Sequence, residues 1–302
     1  MTPGARAAAA IEVLDRALKG MPVEQALTNW ARASRFAGSG DRAAVRDLVF
    51  DALRQRRSAA ARGGGEGGRA LILGLLRAAG HEALFDGGGH APAPPGPEEA
   101  GREPDAAEAM DLPDWLVPRL RDSLGERLAP VAEALRHRAP VFLRVNLARA
   151  SREAAIRALA EEGIAAVPHA LAGSALVVTE NARKVQASTA FREGLVEVQD
   201  ASSQAVVEAL PLRDGMRVLD HCAGGGGKTL AMAARARLRL HAHDIAPRRM
   251  ADLPERARRA GIAVTLTGRP EDAAPYDLVL VDAPCSGSGS WRRDPEGKWA
   301  LT

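Results

Sequence analysis

From Met216 onward, short apolar runs alternate with helical segments, and this alternation restricts the fold more than any other feature of the chain. Residues 217–220, 240–244, 263–266 and 277–282 have the length and β-branched content of buried strands, with helical spacing between them. Strands of this kind, separated by helices, imply a parallel, doubly wound α/β sheet. In such sheets, ligands bind beyond the carboxyl ends of the strands.

Three motifs occupy those ends. The first is Val218-Leu219-Asp220-His221-Cys222-Ala223-Gly224-Gly225-Gly226-Gly227-Lys228-Thr229, where a strand turns into a helix. Four consecutive glycines let the backbone approach a ligand closely and take up positive φ without steric cost. The string is not a P-loop, because His221 or Cys222 stands where G-x-x-x-x-G-K-[ST] requires its first glycine. The second motif is His243-Asp244-Ile245, about 20 residues further on. An acid at that place can accept hydrogen bonds from both ribose hydroxyls of an adenosine. Together the two motifs point to an adenosine-bearing cofactor, with a nicotinamide dinucleotide and S-adenosylmethionine (SAM) equally compatible.

The third motif separates these cofactors. Asp282-Ala283-Pro284-Cys285-Ser286-Gly287-Ser288-Gly289 follows the fourth strand, with Trp291-Arg292-Arg293-Asp294-Pro295 and Lys298-Trp299 behind it. A cysteine beside a cofactor cleft offers a thiolate, a strong nucleophile once deprotonated. Carbon 5 of cytosine is too weak a nucleophile to take a methyl group unaided. A thiolate added at C6 makes the ring enamine-like, and C5 can then attack the methyl of SAM. Arg292 and Arg293 next to Trp291 suit phosphate contact and base stacking, and Lys298 adds a third cation. A nicotinamide-dependent oxidoreductase would account for the glycines and Asp244 but leave residues 282–289 unexplained.

The rest of the chain supplies context. Residues 5–86 read as helical, with Ile11, Leu14 and Leu18, then Val45, Leu48, Val49 and Leu53, at helical spacing. Asp41 is placed to cap a helix. Residues 87–109 are rich in Gly, Pro and acid, with almost no large apolar side chain, and read as a flexible linker or inserted loop. After Pro140, residues 141–145 and 175–179 read as strands about a helix over 153–162, a small α/β unit. The expected domains are therefore 1–86, helical; 87–111, an acidic linker; 112–195, a helical connector and small α/β subdomain; and 196–302, the cofactor-binding core.

Charge is unevenly spread: Lys plus Arg against Asp plus Glu is 13 to 9 over residues 1–86, 1 to 7 over 87–114 and 27 to 22 over 115–302. A mildly basic head and body are compatible with a phosphate-bearing partner. Two cysteines make neither a disulfide framework nor a metal site, so a reducing compartment is expected. With no apolar run of roughly 18 residues and no signal-peptide pattern, the protein reads as cytoplasmic, with no membrane partner and a monomeric state favoured.

The strings LDHCAGGGGKT, QDASSQ (199–204) and DAPCSGSG…RRDPEGKW closely resemble the RNA 5-methylcytosine methyltransferases. The subgroup most like this chain is the bacterial 16S ribosomal RNA enzymes with a NusB-like helical head. Leu112-Pro113-Asp114-Trp115-Leu116 and Leu143-Arg144-Val145-Asn146 match the segments that join head and core in that family. The resemblance is specific from about residue 112 to the end and general over residues 1–86. It implies a Rossmann-like SAM-dependent core, an RNA-binding head and a cytosine of RNA as substrate, most simply in 16S ribosomal RNA. The alternatives are a transfer-RNA cytosine methyltransferase and an RNA- or SAM-binding protein with an incomplete core.

By the same resemblance, Cys222, Ala223, Gly224, Gly225, Gly226, Gly227 and Lys228 would cradle SAM and Asp244 would hold its ribose, with Arg249 as a further cofactor contact. Asp282 would close the pocket near the reacting methyl, and Asp200 and Gln204 would line the approach. Catalysis would fall to Cys285 and Asp282, and RNA contact to Arg292, Arg293 and Lys298. Three departures stand out. The family usually has Ala-Pro-Gly-Gly where this chain has four glycines, and it has an Asp where Gly268-Arg269 stands, with Asp272 a candidate substitute. It also places the cysteine that attacks C6 in a later Thr-Cys motif, and assigns product release to the Pro-Cys thiol. No Thr-Cys pair occurs here, and only four of seven expected strands are present. The expectation is an amino-terminal part of a longer enzyme, inactive by itself, whose fourth strand has one unpaired edge.

Overall fold

A computed structural model describes all residues, 1–302, and divides into two compact units, Met1–Ala139 with Cys285–Thr302, and Pro140–Pro284. No helix is long and apolar enough to cross a membrane.

The first unit is helical. It contains α1 (Pro3–Leu18), α2 (Val23–Ala33), α3 (Ser39–Arg54), α4 (Arg56–Gly63), α5 (Gly68–Ala78), α6 (Leu116–Leu124) and α7 (Leu128–Leu135). Pro3 opens α1, and Thr2 Oγ1 caps it by accepting from Ala5 N at 3.2 Å. Asp41 lies in the first turn of α3, where its carboxylate accepts from Gly38 N at 3.2 Å and from Arg6 Nε at 2.9 Å. Val13, Leu14, Trp30, Val45, Val49, Leu71, Ile72 and Leu73 form the core. Helices α4 and α5 run in close contact, since a Cβ at Gly74 would stand 1.9 Å from the carbonyl oxygen of Ala59.

The acidic segment departs from the flexible linker expected of its composition. It docks on the helical unit through Arg69–Glu99 (2.7 Å), Arg62–Glu103 (3.0 Å) and a backbone bond from Arg102 N to Ala61 O (2.9 Å). Arginines on α4 and α5 order a segment that has little apolar surface of its own.

The compact units also cut across the expected domain boundaries. Residues 112–139 group with the helices, and so does the strap 285–302, which ends in a short helix, Glu296–Ala300. The strap is held by polar bonds to backbone: Lys298 Nζ donates to Asp111 O (2.6 Å) and Arg54 O (3.1 Å), and Trp299 Nε1 to Leu53 O (2.7 Å). Arg292 donates to the carbonyls of His137 (3.1 Å) and Arg138 (3.0 Å). The Glu296 carboxylate accepts from Val23 N, at 3.3 Å, at the start of α2, which has no side-chain cap of its own.

The second unit holds two sheets. In the first, β1 (Val141–Val145), β2 (Ala165–Pro168), β3 (Ala175–Glu180) and β4 (Val196–Val198) pair antiparallel in the order β2-β3-β1-β4, with α8 (Arg152–Glu161) and α9 (Thr189–Arg192) between them in sequence. The second follows α10 (Ala201–Glu208) and contains β5 (Arg217–Asp220), α11 (Gly227–Ala233), β6 (Arg239–Ala242), α12 (Leu253–Ala260), β7 (Thr265–Leu266) and β8 (Leu278–Leu280). Its strands are parallel in the order β7-β6-β5-β8, so the chain leaves β5 for β6 on one side and later returns to β8 on the other. That reversal makes the carboxyl end of β5 the switch point, where doubly wound sheets open a crevice. Strand β8 is paired on one side only, and Val279 is half exposed. The expected Rossmann-like parallel sheet is present, with its expected free edge.

Candidate cofactor cleft

The Gly-rich loop leaves β5 at Asp220 and enters α11 at Gly227. Gly224 (φ 49°) and Gly226 (φ 78°) are left-handed, and a Cβ at Gly226 would meet Leu253 Cδ1 at 2.1 Å. Glycine is therefore required at 226 both by backbone conformation and by space. Inside the turn, Gly226 N donates to Ala223 O (2.8 Å) and Ala223 N to His243 O (2.9 Å).

Asp244 follows β6, is 2% exposed and braces the loop from behind. Its carboxylate accepts from Gly224 N (3.0 Å) and Ala246 N (2.9 Å) and pairs with Arg249 at 3.2 Å. The Ala246 and Gly224 N–H groups and the Arg249 guanidinium hold its pKa below the usual aspartate value. A carboxylate has about four acceptor sites, so these contacts leave room for a ligand hydroxyl.

The loop walls a cleft of about 260 Å³. Of the residues expected to hold a cofactor, Cys222, Ala223, Gly224, Gly225, Gly227, Lys228, Arg249 and Asp282 line it. Gly226 forms the turn beneath, and Asp244 supports the loop without lining the cleft. Lys228 Nζ and the Asp282 carboxylate form a close ion pair, with Lys228 largely covered and Asp282 exposed. Three lining residues lay outside the expected set: Gln199, Ser203 and Asp220. Asp220 is the most telling. Its Oδ2 accepts from Thr229 Oγ1 at 2.6 Å, while Oδ1 is buried and has no partner. Burial raises its pKa, opposed by the Thr229 hydroxyl and the Lys228 charge. A buried carboxylate oxygen without a donor is costly, and an ammonium in the cleft would satisfy it. The donor set thus fits a cofactor that carries both a ribose and an amino group.

Other expected residues lie elsewhere. Gln204 does not line the cleft: it donates to Leu143 O (3.2 Å) and Gln199 O (2.9 Å) and accepts from Ser174 Oγ (2.9 Å) in the interior. Asp200 caps α10, accepting from Ser202 N at 3.0 Å. Cys285 is an exposed thiol three residues beyond Asp282. Lys298 does not present its charge to solvent. It is 1% exposed, and burial lowers its pKa to about 8. Arg292 donates to two carbonyls, those of His137 and Arg138, and Arg293 is exposed.

Two family models match the chain: the RsmF/B-like methyltransferase ferredoxin-like domain over residues 112–186, and the 16S rRNA methyltransferase RsmB/F over residues 207–302. Ribosomal RNA small subunit methyltransferase B of Escherichia coli O6:K15:H31 (strain 536 / UPEC) is 37% identical over 205 residues, 64% of this chain and 47% of that protein. The chain thus spans about half the length of the curated relatives it matches. Among solved structures, the protein described as PH0851 shares the fold with a TM-score of 0.72 at 21% identity, over 100% of this chain and 79% of its own. NSun6 from Pyrococcus horikoshii, solved with SFG, aligns with a TM-score of 0.51 at 17% identity, over 58% of this chain and 71% of its own. Both family models fall in order along the chain, the ferredoxin-like one over residues that include β1 to β3 and the RsmB/F one over the parallel sheet that carries the cleft, and over these residues the chain is similar to RsmB/F methyltransferases.

Proposed function

We propose that the protein takes part in SAM-dependent methylation of carbon 5 of a cytosine in RNA, with 16S ribosomal RNA as substrate, in the cytoplasm. The observation that carries this reading is the cleft at the end of β5, where a glycine loop braced from behind by Asp244 meets the unpartnered Asp220 Oδ1. The relative solved with SFG, an analogue of SAM, supports the choice of cofactor. The 16S rRNA named in the family model, and the small-subunit ribosomal RNA named in the curated relatives, support the choice of substrate.

SAM supplies an electrophilic methyl group on a sulfonium. This chain's residues do the rest of the binding and positioning. Gly224, Gly225 and Gly227 allow close backbone approach, the remaining acceptor site of Asp244 takes one ribose hydroxyl, and Asp220 accepts from the amino group. Asp282, tied to Lys228, lies at the cleft's exposed lip, where the base would enter. Cys285 provides the thiol of this chain for the C6 adduct cycle. Over a full cycle a thiolate adds to C6, C5 takes the methyl and loses its proton, and the thiolate leaves as the C5–C6 double bond reforms. Arg293 is exposed, and by the family resemblance it is a candidate contact to the RNA backbone.

Transfer of a labelled methyl group from SAM to 16S ribosomal RNA and to transfer RNA tests the reading. No turnover by this chain alone upholds the expectation that it is inactive by itself; label recovered as 5-methylcytosine in 16S RNA, with turnover falling at least about a hundredfold in Cys285→Ser, would overturn that expectation and make Cys285 the attacking thiol. Label confined to transfer RNA, or found at another atom, would overturn the substrate assignment.

A further inference from the structure

We propose that Arg144 and Arg256 are positioning residues that hold the four-glycine loop in its ligand-ready shape, both anchored on the β4–α10 junction. The inference rests on the reading of the cleft as a SAM site and adds to it the source of the loop's order.

Four glycines in succession are the most mobile backbone a chain can have, and ordering them on binding would weaken the affinity for any ligand. The first half of the loop is fixed by Asp244 and by the turn from Ala223 to Gly226. The second half is fixed from outside. Arg256 Nη1 donates to Gly225 O, and Arg144 Nη1 donates to Gly227 O at 2.7 Å. Because a peptide unit is planar and trans, fixing the Gly227 carbonyl also fixes the opposed N–H of Lys228, whose own helix-start position leaves that donor without an intrahelical partner.

Both guanidinium groups are tied to the same short stretch of chain. Arg144 Nη1 also donates to Gln199 Oε1 at 2.6 Å. Arg256 pairs with Glu197 at 3.5 Å, and Glu197 is in turn held by Arg259 at 2.7 Å. The glycines and the braces are complementary in shape. A Cβ at Gly225 would stand 2.8 Å from Arg256 Nη1, and one at Gly227 would stand 3.4 Å from Gln199 Nε2. The absence of side chains on the loop is what lets the braces reach its backbone.

The arrangement is not an economical way to stabilise a fold. Arg144 is 4% exposed and its Nε has no partner. Burying a charge with an unmet donor is expensive, and replacing it by an apolar side chain of similar size is often neutral or stabilising. A stability role therefore explains Arg144 poorly, whereas control of the loop explains both its place and its partners.

The test compares wild type with Arg256→Ala, Arg256→Lys and Arg144→Met. It uses calorimetric titration with SAM, amide hydrogen exchange at residues 224–228 without SAM, and thermal unfolding without SAM. SAM affinity should fall about tenfold in Arg256→Ala and in Arg144→Met, the loss expected for one charge-assisted hydrogen bond. Exchange at 224–228 should rise in both, with little change in the unfolding midpoint, and Arg256→Lys should recover part of the affinity. Gly225→Ala should weaken binding in the wild-type background, and restore part of it in Arg256→Ala, where the space is vacant. Unchanged affinity and exchange in Arg256→Ala and Arg144→Met would overturn the proposal while leaving the SAM site intact. If wild type takes up no SAM, the cofactor reading fails, and the exchange measurement alone decides the brace: unchanged protection at 224–228 overturns it. Should Arg144→Met fail to fold, the half-buried Arg256 and its lysine variant carry the same decision.

Discussion

The strap of the helical unit and the glycine loop of the parallel sheet both depend on cations that bond backbone carbonyls, yet they differ in what is left over. In the strap, Lys298 is buried with its ammonium on Asp111 O and Arg54 O, and Arg292 is on the carbonyls of His137 and Arg138. These two cations are taken up by the fold itself. At the loop, Arg144 and Arg256 take up carbonyls from outside, while the cleft keeps an unpartnered carboxylate oxygen on Asp220 and an exposed acid at Asp282. The lesson is that a basic residue in a motif can be taken up by the fold's own carbonyls, as Lys298 and Arg292 are, rather than by a ligand.

The comparison can be broken at either region. The largest effect should come from Lys298→Ala, which removes two charge-assisted bonds and leaves a cavity in the helical unit. Its unfolding free energy should drop by about 3 kcal/mol in denaturant titration, with SAM affinity unchanged. A loss of SAM binding without loss of stability would reverse the roles assigned to the two regions. Asp220→Asn should act the other way, lowering SAM affinity roughly tenfold to a hundredfold, about 1.4 to 2.7 kcal/mol, with no loss of thermal stability. Arg293→Ala should weaken RNA binding by less than about 1 kcal/mol and reduce the slope of log affinity against log salt by about one. In the same measurement, Lys298→Met should leave that slope alone.

The smallest effect is one of pH. Burial lowers the Lys298 pKa from 10.5 to about 8. Between those values the unfolded chain binds more protons than the folded one, so stability should rise with pH across that window. The destabilising contribution is full below the folded pKa and is relieved as the pH passes through it. Comparing the pH dependence of unfolding in wild type and Lys298→Met isolates this contribution, and identical profiles would contradict it.

Much of this was legible in the sequence, and the limits have physical causes. The parallel strands, the loop and Asp244 are local strings, readable because strand length, glycine and the acid at the next strand end lie within about 30 residues of one another. Strands β2 (Ala165–Pro168) and β4 (Val196–Val198) were missed because neither forms a continuous run of large apolar residues: β2 is half alanine and ends in Pro168, and β4 is interrupted by Glu197. Gln199 and Ser203 join the cleft through the fold rather than through their own motif, where Asp200 and Gln204 looked equally suited. Trp291-Arg292-Arg293 and Lys298-Trp299 read as a basic surface, because the acceptors that bury Lys298 lie 187 and 244 residues away in the chain. The acidic segment looked flexible for the same reason: its order comes from arginines on α4 and α5.

The most direct measurement is a calorimetric titration of the chain with SAM and, separately, with a nicotinamide dinucleotide. The cleft as described predicts saturable one-site binding of SAM, weakened in Asp220→Asn and in Asp244→Ala, and no heat of binding with the dinucleotide. Binding of the dinucleotide that is lost in Asp244→Ala, with no uptake of SAM, would contradict the account.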